Sequence, residues 1–202
     1  MRHLILFFTA IIMFPLFMYP QDISGIDYIS PFHEGLAAIK KGNEWAFITT
    51  NGELVIDYRS DVVVSSMDDM AYPVFNSERC LIVEEKKGIS YFGYIDTSGK
   101  TVIEPQFLNA TNFNNGLAII LKLYKDVIGQ NDVLDKRMID YNYMELTINP
   151  NGDIVHYLSK KPTHITLSKN FLPRPPEIRS KFLNKQVIAI KDKNNTYSIK
   201  KI

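Results

Sequence analysis

Cysteine is almost absent from this 202-residue sequence, and the single thiol of Cys80 excludes any internal disulfide. Cys80 stands in the apolar run "ERCLIVEE", so we expect a buried strand thiol; a reactive thiol would need a cationic and exposed setting. The signatures G-x-S-x-G, H-E-x-x-H, G-x-x-x-x-G-K-[ST] and G-x-G-x-x-G are also missing. No motif therefore indicates catalysis, and no cofactor is expected.

The sequence also lacks an excess of charge of one sign. It has 23 Lys and Arg against 22 Asp and Glu, which gives a formal net charge of +1. Loss of residues 1–20 would remove one of these charged residues, Arg2. Because affinity for nucleic acid comes mainly from clustered basic residues at phosphates, this balance argues against a nucleic-acid partner. The lysine doublets, among them Lys40–Lys41 and Lys200–Lys201, are scattered, and we expect them to be solvated turn or edge residues.

Long apolar runs are missing except at the start, where residues 4–18 form one after Arg2. This run of about 15 residues is too short for a spanning helix, which needs about 20, and Pro15 interrupts it. The layout is typical of an export signal, so we predict a signal peptide at residues 1–20 and a periplasmic, cell-surface or secreted protein. No small-residue pair precedes Gln21, so an uncleaved membrane anchor stays an alternative and would be the only membrane contact.

What the sequence does have is a three-part order of features that recurs. A lead aromatic residue, Phe32, Phe75 or Phe113, precedes a turn and a short apolar strand, in "EGLAAI", "ERCLIV" and "NGLAII". An aromatic-rich strand follows, "WAFITT" and then "FGYIDT", and a glycine turn leads into "NGELVI" and "SGKTVI". Asn-Gly or Ser-Gly between two alternating runs indicates a tight hairpin, because the turn needs a positive φ. Three such hairpin tips are predicted, at Asn51–Gly52, Ser98–Gly99 and Asn151–Gly152. The order predicts an all-β array of hairpin or meander repeats.

Each aromatic-rich strand places a small residue directly after its first ring, Ala46 after Trp45 and Gly93 after Phe92. A small residue lets another backbone approach closely, so stacked units are expected to share an aromatic ladder. Gly52 and Gly99 are expected to be equivalent hairpin tips with equal sensitivity to substitution. The residues predicted to hold structural repeat positions are Phe32, Gly35, Trp45, Gly52, Phe92, Gly93, Gly99, Phe113 and Gly116.

These residues resemble the WG-repeat family, whose units read roughly as an aromatic, E-G-L-A, a lysine-rich turn, W-G-F-I-D, a glycine turn, V-I and a proline. The stretches "FHEGLAAIKKGNEWAFI" at 32–48 and "FGYIDTSGKTVIEPQF" at 92–107 carry the likeness, although neither keeps an intact Trp-Gly pair. The resemblance implies a noncatalytic interaction module outside the cytoplasm, whose repeats offer an extended surface to a protein or glycan of the cell envelope.

The rest of the chain matches the pattern less well. We predict a β-repeat domain over residues 21–202, with two clear units and the start of a third at about 28–120 and degenerate repeats at about 121–202. The degenerate part holds one extended unit, in which Glu145 replaces the ring, and one capping half-unit from residue 182. The array is expected to be open or partly closed, with a small propeller-like toroid as the alternative.

A binding surface and a hydrolase are the two functions that the residues leave open. Tyrosines outside the ladder are the predicted exposed binding surface: Tyr58, Tyr72, Tyr141, Tyr143 and Tyr157. An envelope-polymer hydrolase would need paired carboxylates, for which Glu34 and Glu104 are the acids most closely tied to the repeat. Glu34 matches the E-G-L-A position of the WG-repeat pattern, and the resemblance therefore implies a turn-stabilising role for it.

Metal sites are not indicated. His33, His156 and His164 have no usual ligand spacing, so they are expected to be ordinary surface or turn residues. Asp61 and the pair Asp68–Asp69 do not follow the residue order of a calcium-binding loop, so we expect them to lie in a polar loop.

Overall fold

The structure is a computed structural model that describes residues 23–67, 70–131, 136–192 and 194–202. The predicted signal peptide and the Asp68–Asp69 pair lie outside these residues. No helix in the described part is long and apolar enough to cross a membrane. The regular elements described are the strands β1 Tyr28–Ile29, β2 Leu36–Lys41, β3 Glu44–Thr49, β4 Leu54–Arg59, β5 Ser65–Met67, β6 Met70–Tyr72, β7 Cys80–Lys86, β8 Ile89–Ile95, β9 Thr101–Ala110, β10 Ala118–Asn131, β11 Lys136–Ile148, β12 Ile154–Tyr157, β13 Thr163–His164, β14 Lys181–Asn184, β15 Val187–Lys191 and β16 Tyr197–Lys201.

The strands form antiparallel sheets that follow the chain order. The first sheet has the order β1-β2-β3-β4, and the middle sheet has the order β12-β11-β10-β9-β8-β7, with β13 paired to β11. The last sheet is β14-β15-β16, and β5 with β6 forms a small hairpin between the first two sheets. The chain is therefore all-β, as the sequence predicts, and none of these sheets closes on itself.

Two kinds of turn recur and define the units. The lead turns, residues 33–36, 76–79 and 114–117, each have two central residues at positive φ and reciprocal N–H to C=O bonds between their ends. The glycine turns are residues 49–53, 96–100 and 149–153. In each of them, a side-chain oxygen of the first residue accepts hydrogen bonds from the backbone N–H groups two and four positions later. The third lead turn and third glycine turn show that residues 114–157 form a complete third unit, extended by the long β10–β11 hairpin.

Aromatic rings join each unit to the next. The ring of Phe75 contacts that of Phe47 at 4.9 Å, and Phe113 contacts Tyr94 at 4.8 Å, so each lead phenylalanine packs on the preceding unit. Phe32 differs from these two lead phenylalanines, because its side chain is 49% exposed. Among the described residues no repeat unit precedes the first one, so no ring of a preceding unit is available for Phe32 to pack against.

Gly93 permits the close backbone approach that the sequence predicts. A Cβ at this position would lie 2.4 Å from the carbonyl oxygen of Ile103 and 2.7 Å from the nitrogen of Pro105. The pairing of β8 with β9 is irregular at this point, between Phe92 and Tyr94. Strand β9 therefore crosses directly over Gly93, and any side chain there would displace the backbone.

Hydrogen bonds between turns also tie the first two units together. The Glu34 carboxylate of the first lead turn accepts the backbone N–H groups of Ser77 and Glu78 in the second, both at 2.7 Å. The guanidinium of Arg59 at the end of β4 donates to the carbonyl of Gly99 in the second glycine turn at 2.9 Å. Glu34 thus joins turns of neighbouring units, in agreement with the turn-stabilising role that the resemblance implies.

The last sheet is more complete than the half-unit that the sequence indicated. Asp192 Oδ1 accepts the N–H groups of Asn194 and Thr196, as in the glycine turns, and Asn195 has the positive φ that glycine has elsewhere. Strand β15 packs Ile188 against Ile119 and Leu158 of the third unit. None of the sheets among the described residues closes on itself, as expected for an array of hairpin repeats.

Candidate functional site

One face of the middle sheet carries a shallow depression that opens beside an aromatic pair. The depression has a volume of about 280 Å³ and is lined by β9, the start of β10 and the third glycine turn. Glu104, Gln106 and Asn151 supply exposed polar groups there, while Phe107 and Ile154 form apolar floor. The depression therefore combines hydrogen-bonding groups with an apolar base.

Tyr124 on β10 and Tyr157 on β12 lie close enough for Tyr157 to affect the pKa of Tyr124. Burial, followed by the nearby Tyr157, raises the pKa of Tyr124. Lys122, which lines the depression, places its Nζ 5.9 Å from the centre of the Tyr124 ring. Tyr157 is 53% exposed, so its ring stays accessible to a ligand. We call Glu104, Gln106, Lys122, Tyr124 and Tyr157 the tyrosine face.

The register of the strands explains why Tyr124 and Tyr157 share one face. Tyr124 pairs with Asn142, and Leu146 on the same side of β11 pairs with Tyr157. Side chains alternate along a strand, so Tyr124, Asn142 and Tyr157 all lie on the side that bears Leu146. Leu146 is fully buried in the core of the middle sheet, and the tyrosines continue its face outward.

A polar cluster extends this face along the β10–β11 hairpin. The Asp140 carboxylate accepts a bond from Asn142 Nδ2 at 2.7 Å and lies 2.7 Å from His164 Nδ1. The bond from Asn142, with smaller contributions from His164, holds the pKa of Asp140 below its usual value. The cluster places fixed donors and acceptors beside the tyrosine pair, which suits a ligand rich in hydroxyl groups.

The five tyrosines predicted as a binding surface do not come together. Tyr72 is 4% exposed and packs in the first core cluster, so the prediction of an exposed ring is wrong there. Tyr58 is half-buried on β4 of the first sheet. Tyr141 and Tyr143 are half-buried on the side of β11 opposite Asn142, and Tyr143 packs among the apolar residues beneath the segment 165–178. Only Tyr157 lies on the tyrosine face.

The remaining candidates have structural surroundings. The Cys80 thiol is fully buried, as predicted, and burial raises its pKa to about 12. The carboxylate of Asp61 is held by Arg59 at 2.6 and 2.7 Å. Nε2 of His33 lies 3.3 Å from the hydroxyl of Tyr72. Among the described residues no group of three His, Cys, Asp or Glu could hold a metal ion.

The model of the family described as WG containing repeat matches two regions of this chain, residues 26–45 and 92–125. The chain contains WG repeats. The first match covers β1, β2 and the start of β3, and the second runs from β8 to the middle of β10. No curated protein and no solved structure matches the chain.

The two WG-repeat matches fall on the parts of the array that keep the pattern best. The second match includes Tyr124 and Lys122 but stops before β11 and β12, which supply Asn142 and Tyr157. The tyrosine face thus lies where a WG repeat meets the degenerate part of the third unit. Sequence reasoning missed Tyr124, although its place two residues after Lys122 in the alternating run "IILKLYKD" puts both side chains on one face.

Proposed function

We propose that this protein is an exported, noncatalytic WG-repeat module that binds a glycan of the cell envelope through the tyrosine face. The observation that carries the proposal is the depression lined by Glu104, Gln106 and Lys122, with Tyr124 beside Lys122 and the exposed Tyr157 on the same face as Tyr124. Tyrosine rings stack on the apolar faces of sugar rings, and carboxylate, amide and ammonium groups bind sugar hydroxyls.

Export is supported by the sequence pattern of residues 1–20, and the repeat family supports a module that presents a surface. The shallow form of the site also favours binding of a chain-like ligand, because an extended glycan can lie along the face from the depression to Asp140. A glycan is favoured over a protein because the face offers few large exposed apolar side chains, which usually anchor protein partners.

The hydrolase alternative receives no support from the acids that the sequence singled out. Both carboxylate oxygens of Glu34 accept backbone N–H groups of the second lead turn, so this acid has a structural partner. Glu104 lines the depression of the tyrosine face, but Glu34 does not. The two acids therefore do not face each other across one groove, as a glycosidase pair must.

Binding to isolated envelope polysaccharides tests the proposal. We expect Tyr157→Ala and Tyr124→Ala to weaken retention on the polysaccharide about fivefold or more, since a stacking aromatic contributes about 1–3 kcal/mol. The matched control is Tyr197→Ala, because Tyr197 is 57% exposed on the last sheet. Equal retention of all three variants would contradict a glycan site at this face, and release of reducing ends that depends on Glu104 would establish the hydrolase instead.

A further inference from the structure

The last sheet has a strongly basic outer face that the balanced net charge conceals. Residues 179–202 contain seven Lys and Arg and a single acid, Asp192, although the whole chain carries only +1. The carboxylate of Asp192 accepts bonds from the N–H groups and the hydroxyl of its own turn. One ionised acid against seven basic residues leaves the segment with a formal net charge of +6.

The register of β14, β15 and β16 places three of these lysines on one face. Lys181 pairs with Ala189, which pairs with Ile199, while Lys191 pairs with Tyr197 and Val187 pairs with Lys201. Alternation therefore puts these side chains on the same side of the sheet. We call Lys181, Lys191, Tyr197, Ile199 and Lys201 the lysine face.

The lysine face points away from the protein core. The opposite side of the same sheet bears Phe182, Ile188 and Ile190, which pack against the third unit. By contrast, Ile199 is 73% exposed and Tyr197 is 57% exposed. The ammonium groups of Lys181 and Lys191 lie 5.8 and 5.7 Å from the centre of the Tyr197 ring, so the tyrosine is held between two cations.

We propose that the lysine face docks on the surface of an anionic lipid bilayer. Three lysines supply attraction to anionic headgroups, and Tyr197 has the apolar body and polar tip that suit the bilayer interface. Ile199 lies on the same face as these groups, where it can enter the boundary between headgroups and acyl chains. An exposed isoleucine adds nothing to the binding of a hydrated polyanion, so a bilayer fits this face better than a nucleic acid does.

The test is cosedimentation of the full chain with vesicles of phosphatidylcholine alone and of phosphatidylcholine with phosphatidylglycerol. The neutral vesicles record any binding through residues 1–20. One triple variant removes three charges from the lysine face and carries Lys181→Gln, Lys191→Gln and Lys201→Gln. The control triple variant removes three exposed charges elsewhere and carries Lys41→Gln, Lys160→Gln and Lys161→Gln. We expect the first to bind anionic vesicles on the order of a hundredfold more weakly, since each lysine near such a surface contributes about fivefold.

The control variant should keep its preference for anionic vesicles, and raised salt should weaken the parent protein and the control alike. Ile199→Asn, which keeps every charge, should also weaken vesicle binding. The proposal is overturned if the two triple variants lose affinity equally, or if the parent binds both kinds of vesicle equally. Binding of an oligonucleotide that depends on the three lysines, without binding to anionic vesicles, would likewise reject it.

Discussion

The glycine turns look equivalent in the sequence, yet the structure predicts different costs for substituting them. Gly52 and Gly99 have φ values of +79° and +83°, so an alanine at either position meets the same backbone strain. This strain costs about 1–2 kcal/mol for a residue with a Cβ. An alanine Cβ at Gly52 would have nothing within 4 Å, whereas at Gly99 it would lie 3.1 Å from Cγ2 of Ile56.

Ile56 is 4% exposed and belongs to the core of the first unit, so it cannot move away into solvent. Forcing extra atoms into a packed core costs about 1–3 kcal/mol. We therefore expect Gly52→Ala to lower the free energy of unfolding by about 1–2 kcal/mol and Gly99→Ala to lower it by about 2–5 kcal/mol. Any gain from the reduced entropy of the unfolded chain is the same for both variants and cancels in their difference.

Urea unfolding followed by the fluorescence of Trp45 measures these costs, because this single tryptophan is buried in the first unit. Replacing Ile56 with alanine supplies the decisive control, since it removes the atoms that meet the new Cβ. In that background Gly99→Ala should cost no more than Gly52→Ala. Equal losses for the two glycine variants in the parent protein would refute the reasoning, and the earlier expectation of equal sensitivity would stand.

Three further changes test the core, the contact between units and the buried acid. Trp45→Ala should lower the free energy of unfolding by about 3–5 kcal/mol in urea melts, because the ring is 6% exposed; a loss below about 1 kcal/mol would place it outside the core. Glu34→Ala should speed hydrogen exchange of the two second-lead-turn amides that it holds, while the exposed control Glu53→Ala leaves them protected. Burial raises the pKa of Glu145 above 4.5, so its folded form holds a proton more tightly and stability falls as pH rises from 4.5 through the raised value. Glu145→Gln should remove this pH-dependent loss of stability and be more stable than the parent at neutral pH. If the free energies of unfolding of the variant and the parent change with pH in parallel, the prediction is wrong.

The repeated turns could be predicted because their chemistry is local. Asn-Gly and Ser-Gly fix a positive φ and a tight hairpin within a few residues, and the three predicted glycine turns all have this φ, at Gly52, Gly99 and Gly152. The fourth turn was missed because Asn195 takes the place of glycine there. Asparagine also tolerates this conformation, so the signal was present but weaker.

Exposure was predicted less well because it depends on neighbours that are distant in sequence. Phe32 resembles Phe75 in every local respect, yet a lead ring is buried by the unit before it and not by its own. Tyr72 was expected at the surface, but its ring contacts Tyr28 and His33 of the first unit. A signal for its burial was available, because it begins the short apolar run "YPVF" that precedes the second lead turn.

The tyrosine face could not be predicted because it depends on register across three strands. Tyr124 and Tyr157 belong to β10 and β12, and β11 lies between them, so their rings share one face only if both pairings are correct. A slip of one residue would turn Tyr157 to the opposite face of the sheet. The third glycine turn and the irregular pairing between Thr147 and Ile148 determine that register in β12. The third glycine turn, which can be identified from the sequence alone, therefore positions Tyr157. The strand pairing that brings Tyr124 to the same face is seen only in the structure.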